Sequence, residues 1–429
     1  MMTVLGILIF FVGILFSVAW HELGHFATAR WFGIKVPEFM VGFGKTVWSR
    51  KVGETEYGLK AIPLGGYVRM IGMIPPAKGE TLGRSRRTGP FQGLIDDARR
   101  QSAMDVLPED AHRQFYLRAP WKRIIVMFAG PFMNLILAVV LFAIVLMAIG
   151  LPTGTSTTVS SVSACVVRAS EPTTECPPGA PPTPAAAAGF RAGDRIVAFE
   201  GQRYDQDDWP QLQRAIREAS GTVTVTVERD SQLIDLRPTL ITTELASLQD
   251  EGEYVQGSFL GLSPVVVYER QNLGTVVEEM MGVVTRTGQA LIELPQRMPG
   301  IFGSVFLGED RDREGPVGIV GASRLGGEIL ALERPAAAEL SIFLQLLAAV
   351  NISLFLFNLL PIPPLDGGQI FPAIWESIKR RIARLRGKPD PGPVDVAKLM
   401  PVAYVVALVF IAWSGLLFIA DLVNPITLQ

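Results

Sequence analysis

Four stretches of the chain are apolar, contain no Asp, Glu, Lys or Arg, and are about as long as a bilayer is thick. They cover residues 3–21, 124–151, 341–365 and 399–420. A helix needs about 20 apolar residues to cross the hydrocarbon core. The pattern therefore predicts a polytopic α-helical membrane protein with four transmembrane helices. The first stretch lacks a basic leading region and runs directly into a His-Glu pair, so we expect it not to be a cleaved signal peptide.

The segments between these stretches follow other patterns. Residues 38–50 and 57–73 are strand-like and contain glycine turns, which predicts a β-hairpin region. In the long middle segment, strand patterns at 195–200, 222–228 and 233–240 accompany a helical pattern at 209–219, which indicates one small α+β domain. The following residues, 272–340, are amphipathic and helical in parts, with expected interruptions at Pro295 and Pro299.

Charge is distributed unevenly along this nearly neutral chain. Residues 30–123 contain 17 basic and 9 acidic residues, 152–340 contain 15 and 26, and 371–400 contain 7 and 3. Because cytoplasmic loops are enriched in Lys and Arg, the first and third segments are predicted to be cytoplasmic, and the middle segment and both termini extracytoplasmic. Cys165 and Cys176 lie in the outer segment, where a disulfide can form; two unrelated thiols are the alternative.

Together these patterns predict nine segments. In chain order they are transmembrane helix 1 (1–31), a cytoplasmic loop with β elements (32–120), transmembrane helix 2 (121–151), the outer α+β domain (152–270), an amphipathic segment (271–340), transmembrane helix 3 (341–368), a cytoplasmic loop (369–398), transmembrane helix 4 (399–421) and an outer tail (422–429).

Two of the three histidines in the chain stand close together at the end of the first stretch. His21 and His25 are one helical turn apart, so both imidazoles can reach one Zn²⁺. Glu22 lies beside the first histidine and can accept a proton from water that the metal activates. Ionised side chains within lipid cost several kcal/mol each, so such a cluster indicates a functional site. The alternative is a chance His-Glu pair on a buried helix.

A catalytic zinc usually has three protein ligands, so a third ligand is expected besides the two histidines. Asp366 follows the third stretch, 25 residues after Ser341, and His21 lies 18 residues after Thr3 in the first. Both stretches are predicted to run from outside to inside, so Asp366 should reach the level of the histidines, where an aspartate needs a partner. The alternative is an aspartate in cytoplasmic water at a helix end, which three nearby prolines favour.

Three features together resemble a known family. They are the His-Glu-x-x-His motif at 21–25, the third-stretch pattern of Asn358, Pro361, Pro363, Leu365, Asp366 and Gly367, and the globular domain between them. This combination resembles the site-2 protease family of intramembrane zinc metalloproteases. It is similar to the bacterial branch that cleaves anti-sigma factors, the regulator-of-sigma-E protease type. Residues 187–201 are similar to the PDZ domains of that branch, although one PDZ-like unit is found where some relatives have two.

The resemblance implies roles for individual residues. His21, His25 and Asp366 would hold one Zn²⁺ per chain, Glu22 would be the catalytic glutamate, and Asn358 would hold the substrate backbone. The glycine-rich β elements would be membrane-associated and would pair with an unwound substrate strand. The residues expected to bind substrate there are Gly42, Phe43, Gly44, Gly65 and Gly66.

The resemblance also implies a function. The protein would be an intramembrane zinc endopeptidase that cuts single-span membrane proteins, such as anti-sigma factors, after a first extracytoplasmic cleavage. We expect a monomeric, multi-pass protein of the bacterial inner membrane that contacts the lipid bilayer and no nucleic acid. Its PDZ-like domain would act outside as a size filter or as a dock for a new carboxyl terminus.

Two alternatives come from other classes of protein. The first is a membrane scaffold that binds peptide tails and contains a structural zinc, which requires a fourth protein ligand and predicts no turnover. The second is a transporter with an intramembrane metal site. A large outer domain and the lack of an internal repeat argue against a transporter.

Overall fold

The computed structural model describes residues 2–76, 92–104, 106–166, 176, 180–248, 254–309, 311–312, 315–329 and 336–426. Its α-helices are α1 (Met2–Trp31), α2 (Gln92–Met104), α3 (Pro120–Ala143), α4 (Pro184–Ala188), α5 (Trp209–Glu218), α6 (Leu273–Phe306), α7 (Ile319–Ile329), α8 (Ala336–Asn358), α9 (Gly367–Leu385) and α10 (Met400–Val423). Its strands are β1 (Glu38–Val52), β2 (Thr55–Arg69), β3 (Leu151–Val162), β4 (Arg195–Phe199), β5 (Gln202–Arg203), β6 (Val225–Arg229), β7 (Gln232–Leu236), β8 (Ile241–Ala246), β9 (Tyr254–Phe259) and β10 (Leu262–Glu269).

The chain divides into two compact units. Residues 1–147 and 272–428 form the first unit, and residues 148–271 form the second. Within the described residues, four helices are long and apolar enough to cross a membrane: Thr3–Trp31, Pro120–Ile149, Ala336–Asn358 and Val396–Val423. All four belong to the first unit except for the last two residues of the second helix. The prediction of a membrane protein with four apolar helices agrees with this architecture.

Helix α1 lies against α3, α7 and α8 in the first unit. Two polar contacts fix it to its neighbours. The indole Nε1 of Trp20 donates to the carbonyl of Met133 on α3 at 2.9 Å. The amide Nδ2 of Asn351 on α8 donates to the hydroxyl of Ser17 at 2.9 Å. Polar side chains buried in apolar helices need such partners. These bonds therefore set the helices against one another just before the histidine pair.

Strands β1 and β2 form a ribbon that is folded back on itself. Residues 38–41 pair with 56–59 on one side and with 66–69 on the other, while 48–52 pair with 55–59. The row 66–69 therefore has one strand neighbour among the described residues, and an outer strand edge of this kind can accept a further strand. Strand β2 also contacts α1.

Three segments differ from their sequence-based predictions. Helix α6 continues through Pro295 and Pro299, which were expected to interrupt it. Helix α8 ends at Asn358 and not at residue 368, because the proline-containing turn that follows cannot continue the helix. Residues 369–398, predicted as a loop, contain most of α9. The basic residues of this segment predict a cytoplasmic location, and the apolar residues among them recur at helical spacing.

The second unit is a mixed α and β domain. An antiparallel sheet has the strand order β10-β3-β4-β6-β7, β5 pairs with β4, and β8 pairs with β9. Helix α5 buries Trp209, Leu212 and Ile216 in the core of this unit. The strand and helix patterns at 195–200 and 209–219 correspond to β4 and α5. Cys165 and Cys176 form a disulfide, one of the two alternatives that the sequence leaves open.

Candidate metal centre

The last turns of α1 bring His21, Glu22 and His25 into the interior of the first unit. All three residues are buried, with exposures of 8%, 9% and 5%. The two imidazole Nε2 atoms lie 3.2 Å apart, as expected for histidines one turn apart on the same helical face. The motif thus presents two nitrogen ligands to one point.

Asp366 reaches the same point from the turn between α8 and α9. Its carboxylate Oδ2 lies 3.1 Å from Nε2 of His21 and 3.3 Å from Nε2 of His25. The ligand atoms of these three residues lie within 4.8 Å of one another. The structure therefore brings together the three residues that the sequence nominated as ligands, although they come from opposite ends of the chain.

The spacing and chemistry of these atoms fit a zinc ion. Tetrahedral zinc with bonds of about 2.0 Å holds neighbouring ligand atoms about 3.3 Å apart. The three distances between Nε2 of His21, Nε2 of His25 and Oδ2 of Asp366 are 3.1, 3.2 and 3.3 Å. The Oδ2 atom of Asp366 is buried and receives no hydrogen bond of acceptable geometry from the described residues. Such a carboxylate oxygen requires a cation, and the two nitrogens beside it are typical zinc ligands.

Helix α3 orients both imidazoles from behind. Nδ1 of His25 lies 2.7 Å from the carbonyl of Val126. A carbonyl can only accept, so Nδ1 carries the proton and Nε2 presents its lone pair toward Asp366. Nδ1 of His21 lies 3.2 Å from Nδ2 of Asn134, whose own Oδ1 has no hydrogen-bond partner among the described residues.

The amide orientation of Asn134 follows from the role of His21. If Nε2 of His21 is a ligand, its Nδ1 carries a proton and needs an acceptor. Amide oxygen and nitrogen are assigned from the hydrogen-bond network, and turning this amide places Oδ1 at His21. The turn satisfies both the imidazole N–H and the buried oxygen. We therefore assign Asn134 as the residue that orients His21.

Two glycines allow α1 and α3 to approach closely at this level. A Cβ atom on Gly130 would stand 2.2 Å from Nε2 of His25. A Cβ atom on Gly24 would stand 2.3 Å from the carbonyl oxygen of Ala129. Small residues commonly allow membrane helices to pack in this way. Any larger residue at 130 would displace the His25 ring.

Glu22 lies between the histidines and the β ribbon. The backbone of Val68 on β2 hydrogen-bonds to its carboxylate. A Cβ atom on Gly66 would lie 3.0 Å from Cγ of Glu22, so the strand passes very close to this side chain. The carboxylate is thus held beside the ligand cluster and next to the outer row 66–69.

The residues predicted to bind substrate lie outside the ligand cluster. Gly42, Phe43 and Gly44 lie on β1, and Gly65 and Gly66 lie on β2. The Phe43 ring is partly exposed and would touch a Cβ atom on Gly65 at 2.7 Å. The amide of Asn358 donates to the carbonyl of Leu354 within its own helix at 3.0 Å.

Asn134 and Asn351 are the positions that sequence reasoning did not assign to the site. Both are fully buried in apolar helices. An uncharged amide in an apolar span was the available signal, because such a group must bond to another helix.

This fold and cluster define a class of protein: a membrane-embedded metallopeptidase with a His-Glu-x-x-His helix and a distant aspartate. A model of Peptidase family M50 matches residues 9–400. The chain belongs to this family, the site-2 proteases, and is a zinc metalloprotease, as the resemblance predicted.

Curated relatives match the chain over most or all of its length. Zinc metalloprotease Rip1 of Mycobacterium tuberculosis is 33% identical over 439 residues, covering 100% of both chains. Zinc metalloprotease Rip1 of Mycolicibacterium smegmatis is 33% identical over 442 residues, again covering 100% of both. Metalloprotease MmpA of Caulobacter vibrioides is 30% identical over 400 residues, covering 89% of each chain.

Proposed function

We propose that this zinc metalloprotease cleaves single-span membrane proteins, such as anti-sigma factors, within the bilayer after an earlier extracytoplasmic cut. The observation that carries the proposal is the buried cluster of His21, His25 and Asp366, with Glu22 beside it, at the end of a membrane-spanning helix. A peptide bond hydrolysed there must come from a substrate segment inside or beside the lipid.

The proposed ligands are His21, His25 and Asp366, which hold one Zn²⁺ per chain. When bound, zinc lowers the pKa of water and polarises the scissile carbonyl. Glu22 accepts the proton as water attacks that carbonyl, and it then donates a proton to the leaving amine. Val126 and Asn134 keep the two imidazoles in the tautomers that leave Nε2 available. The three-ligand set leaves a position for water, as catalytic sites require and closed structural sites do not.

We propose that the substrate binds as an added strand. A transmembrane helix keeps its amides in intrachain bonds, so it must open before cleavage, and pairing with a strand edge replaces the lost bonds. The outer row 66–69 supports this role, because it lies beside Glu22 and pairs with one strand, 38–41, among the described residues. The proposed substrate-binding residues are Gly42, Phe43, Gly44, Gly65, Gly66 and Asn358.

The second unit is proposed to be a PDZ-like domain on the extracytoplasmic side. The acidic charge of residues 152–340 and the disulfide between Cys165 and Cys176 support that location. A groove between α5 and residues 258–262, lined by Trp209, Ile216 and Leu260 among others, could receive the carboxyl terminus of a shortened substrate. We propose a monomer in the bacterial cell membrane, with both termini outside and nine segments as predicted, except for the boundaries corrected above.

The test is turnover by purified full-length protein in bilayers. A single-span substrate with a short outer tail should be cut, and mass spectrometry should place the cut inside its apolar span. A Glu22→Gln variant should retain zinc and lose turnover. If the wild type binds zinc and substrate but cuts nothing, the proposal is wrong and a scaffold with a structural zinc is favoured. If it cuts only outside the span, the proposal of cleavage within the bilayer is wrong.

A further inference from the structure

Helix α9 begins at Gly367, the residue after Asp366, and continues for 19 residues. Its inner face is fixed to the first unit. Glu376 is fully buried and contacts Arg123 of α3 at 2.5 Å. The backbone N–H of Val394 donates to the same carboxylate at 3.0 Å. The inner face is therefore occupied by protein, and any further partner of α9 must bind its opposite face.

The opposite face of α9 carries an exposed apolar stripe. Its residues recur at helical spacing and are between 42% and 80% exposed. The stripe consists of Phe371, Ile374, Trp375, Ile378, Ile382 and Leu385. At 100° per residue these six positions fall within an arc of about 100°, which is the width of an amphipathic face. A continuous stripe of this size on a water-facing helix would be unfavourable, so it indicates a binding surface.

Cations flank the stripe on both sides. On the helical wheel Lys379 lies at one border and Arg381 at the other. The ammonium of Lys379 lies 5.5 Å from the ring centroid of Trp375, within the stripe. The helix has four basic residues and one acidic residue, and that acidic residue, Glu376, is turned inward. The outer face therefore combines apolar bulk with positive charge.

We propose that α9 lies in the plane of the cytoplasmic membrane surface, with its stripe in the acyl boundary and Lys379 and Arg381 on anionic lipid headgroups. Apolar residues bordered by Lys and Arg are the features of an interfacial helix. Lipid is favoured over a second copy of the chain because α9 follows membrane-spanning α8 after eight residues, 359–366, and because its border is cationic. This anchoring also fixes the position of Asp366, which immediately precedes the helix. That consequence rests on the proposed function.

The depth of α9 can be measured without turnover. Both cysteines of the chain are joined in the disulfide, so one introduced cysteine is the single free thiol. Ile378→Cys places a fluorophore in the stripe, and Arg384→Cys is the matched control on the polar side of the same helix. In full-length protein in nanodiscs, spin-labelled lipid should quench the fluorophore at 378 severalfold more than at 384. Iodide in water should show the reverse.

Either of two quenching results would overturn the proposal. If iodide quenches the fluorophore at 378 as well as it does at 384, the stripe faces water. If neither quencher reaches position 378, a protein surface covers it, for example a second copy of the chain. Neither result depends on zinc or on cleavage, so the lipid proposal and the protease proposal can fail independently.

A second measurement tests the charge. Each Lys or Arg at a membrane surface contributes about fivefold to the binding of anionic lipid, from about 1 kcal/mol per residue. With the fluorophore at 378, spin-labelled phosphatidylglycerol should therefore quench more strongly than spin-labelled phosphatidylcholine at equal mole fraction. In K379E/R381E this preference should disappear while quenching by phosphatidylcholine remains. Equal quenching by both lipids in the wild type would rule out recognition of anionic headgroups.

Discussion

Asp194 in the second unit and Asp366 in the first are both aspartates with buried carboxylate oxygens, but their surroundings differ. Nε and a terminal nitrogen of Arg229 donate to the two oxygens of Asp194 at 2.7 and 2.8 Å, and the backbone N–H of Arg191 adds a third bond. Oδ2 of Asp366 faces two imidazole nitrogens and receives no hydrogen bond of acceptable geometry from the described residues. The first carboxylate is neutralised by an arginine of the protein, whereas we propose that the second is neutralised by a bound cation.

Other buried acids in the described residues follow the pattern of Asp194. Asp110 contacts Lys35 and Arg113, Glu376 contacts Arg123 and Arg380, and Asp421 contacts Arg311. Glu22 has no such lysine or arginine partner among the described residues. Because an unpaired buried carboxylate is costly, the two exceptions mark the site. Among the described residues, the candidate site is therefore distinguished by carboxylates that have no lysine or arginine partner.

The largest effect is expected from replacing Asp366. Asp366→Asn alters one of the three proposed ligands and should lower turnover by more than about 10³-fold, with loss of zinc. Metal analysis and cleavage of a single-span substrate measure the two losses. Asp194→Asn is the matched control, since the same substitution in the second unit should leave zinc content unchanged. Equal zinc loss in both variants would remove the distinction drawn between the two aspartates.

Gly130→Ala is expected to have the next largest effect. Its Cβ would stand 2.2 Å from Nε2 of His25, so the ring must move and zinc affinity should fall by about 100-fold. Competition with a chelator measures the affinity. Gly415→Ala is the control. Gly415 lies on another membrane-spanning helix, α10, and a Cβ atom there would have no neighbouring atom within 4 Å. Unchanged affinity in Gly130→Ala would mean that the helices do not pack this closely.

Asn134 tests how finely the ligands are oriented. Asn134→Leu removes the partner of Nδ1 of His21 and should weaken zinc binding by about 10-fold. Asn134→Asp keeps an acceptor oxygen and should retain at least the wild-type affinity. If Asp weakens binding as much as Leu does, the amide presents its nitrogen to His21, and our assignment of its orientation is incorrect.

The smallest effect is expected in the second unit and depends on pH. Burial alone would raise the pKa of Asp194, but hydrogen bonds from Arg229 hold this pKa below its ordinary value. Folding is therefore favoured by the ionised form above the unfolded pKa of about 3.9, and this contribution is lost as pH falls through the lower folded pKa. Asp194→Asn should destabilise this unit by about 2 kcal/mol near neutral pH and flatten the acid dependence.

Hydrogen exchange of the β4 and β6 amides in the full-length protein measures this change. The variant should exchange faster than the wild type at pH 7, and the difference should shrink below pH 4. A difference that is constant across this range would show that the Asp194 charge does not stabilise the unit.

The elements that could be predicted from the sequence are those whose physical signal is local. Uncharged apolar stretches predicted the spans, and the one-turn spacing of His21 and His25 predicted a shared helical face. The position of Asp366 could be estimated because two spans predicted to run in the same direction should end at a similar depth. The orientation of His21 by Asn134 could not be predicted, since it depends on how α1 meets α3. Helix α9 was missed because its apolar stripe is interrupted by basic residues that suggested a cytoplasmic loop.

We propose that His21, His25 and Asp366 bind one zinc ion together. The most direct measurement is anomalous diffraction at the zinc edge from crystals of the purified, folded protein. We expect one strong peak per chain, about 2.0 Å from Nε2 of each histidine and from a carboxylate oxygen of Asp366. A fully folded protein without a peak at this point, or with Asp366 turned away from a metal held by other residues, would contradict it.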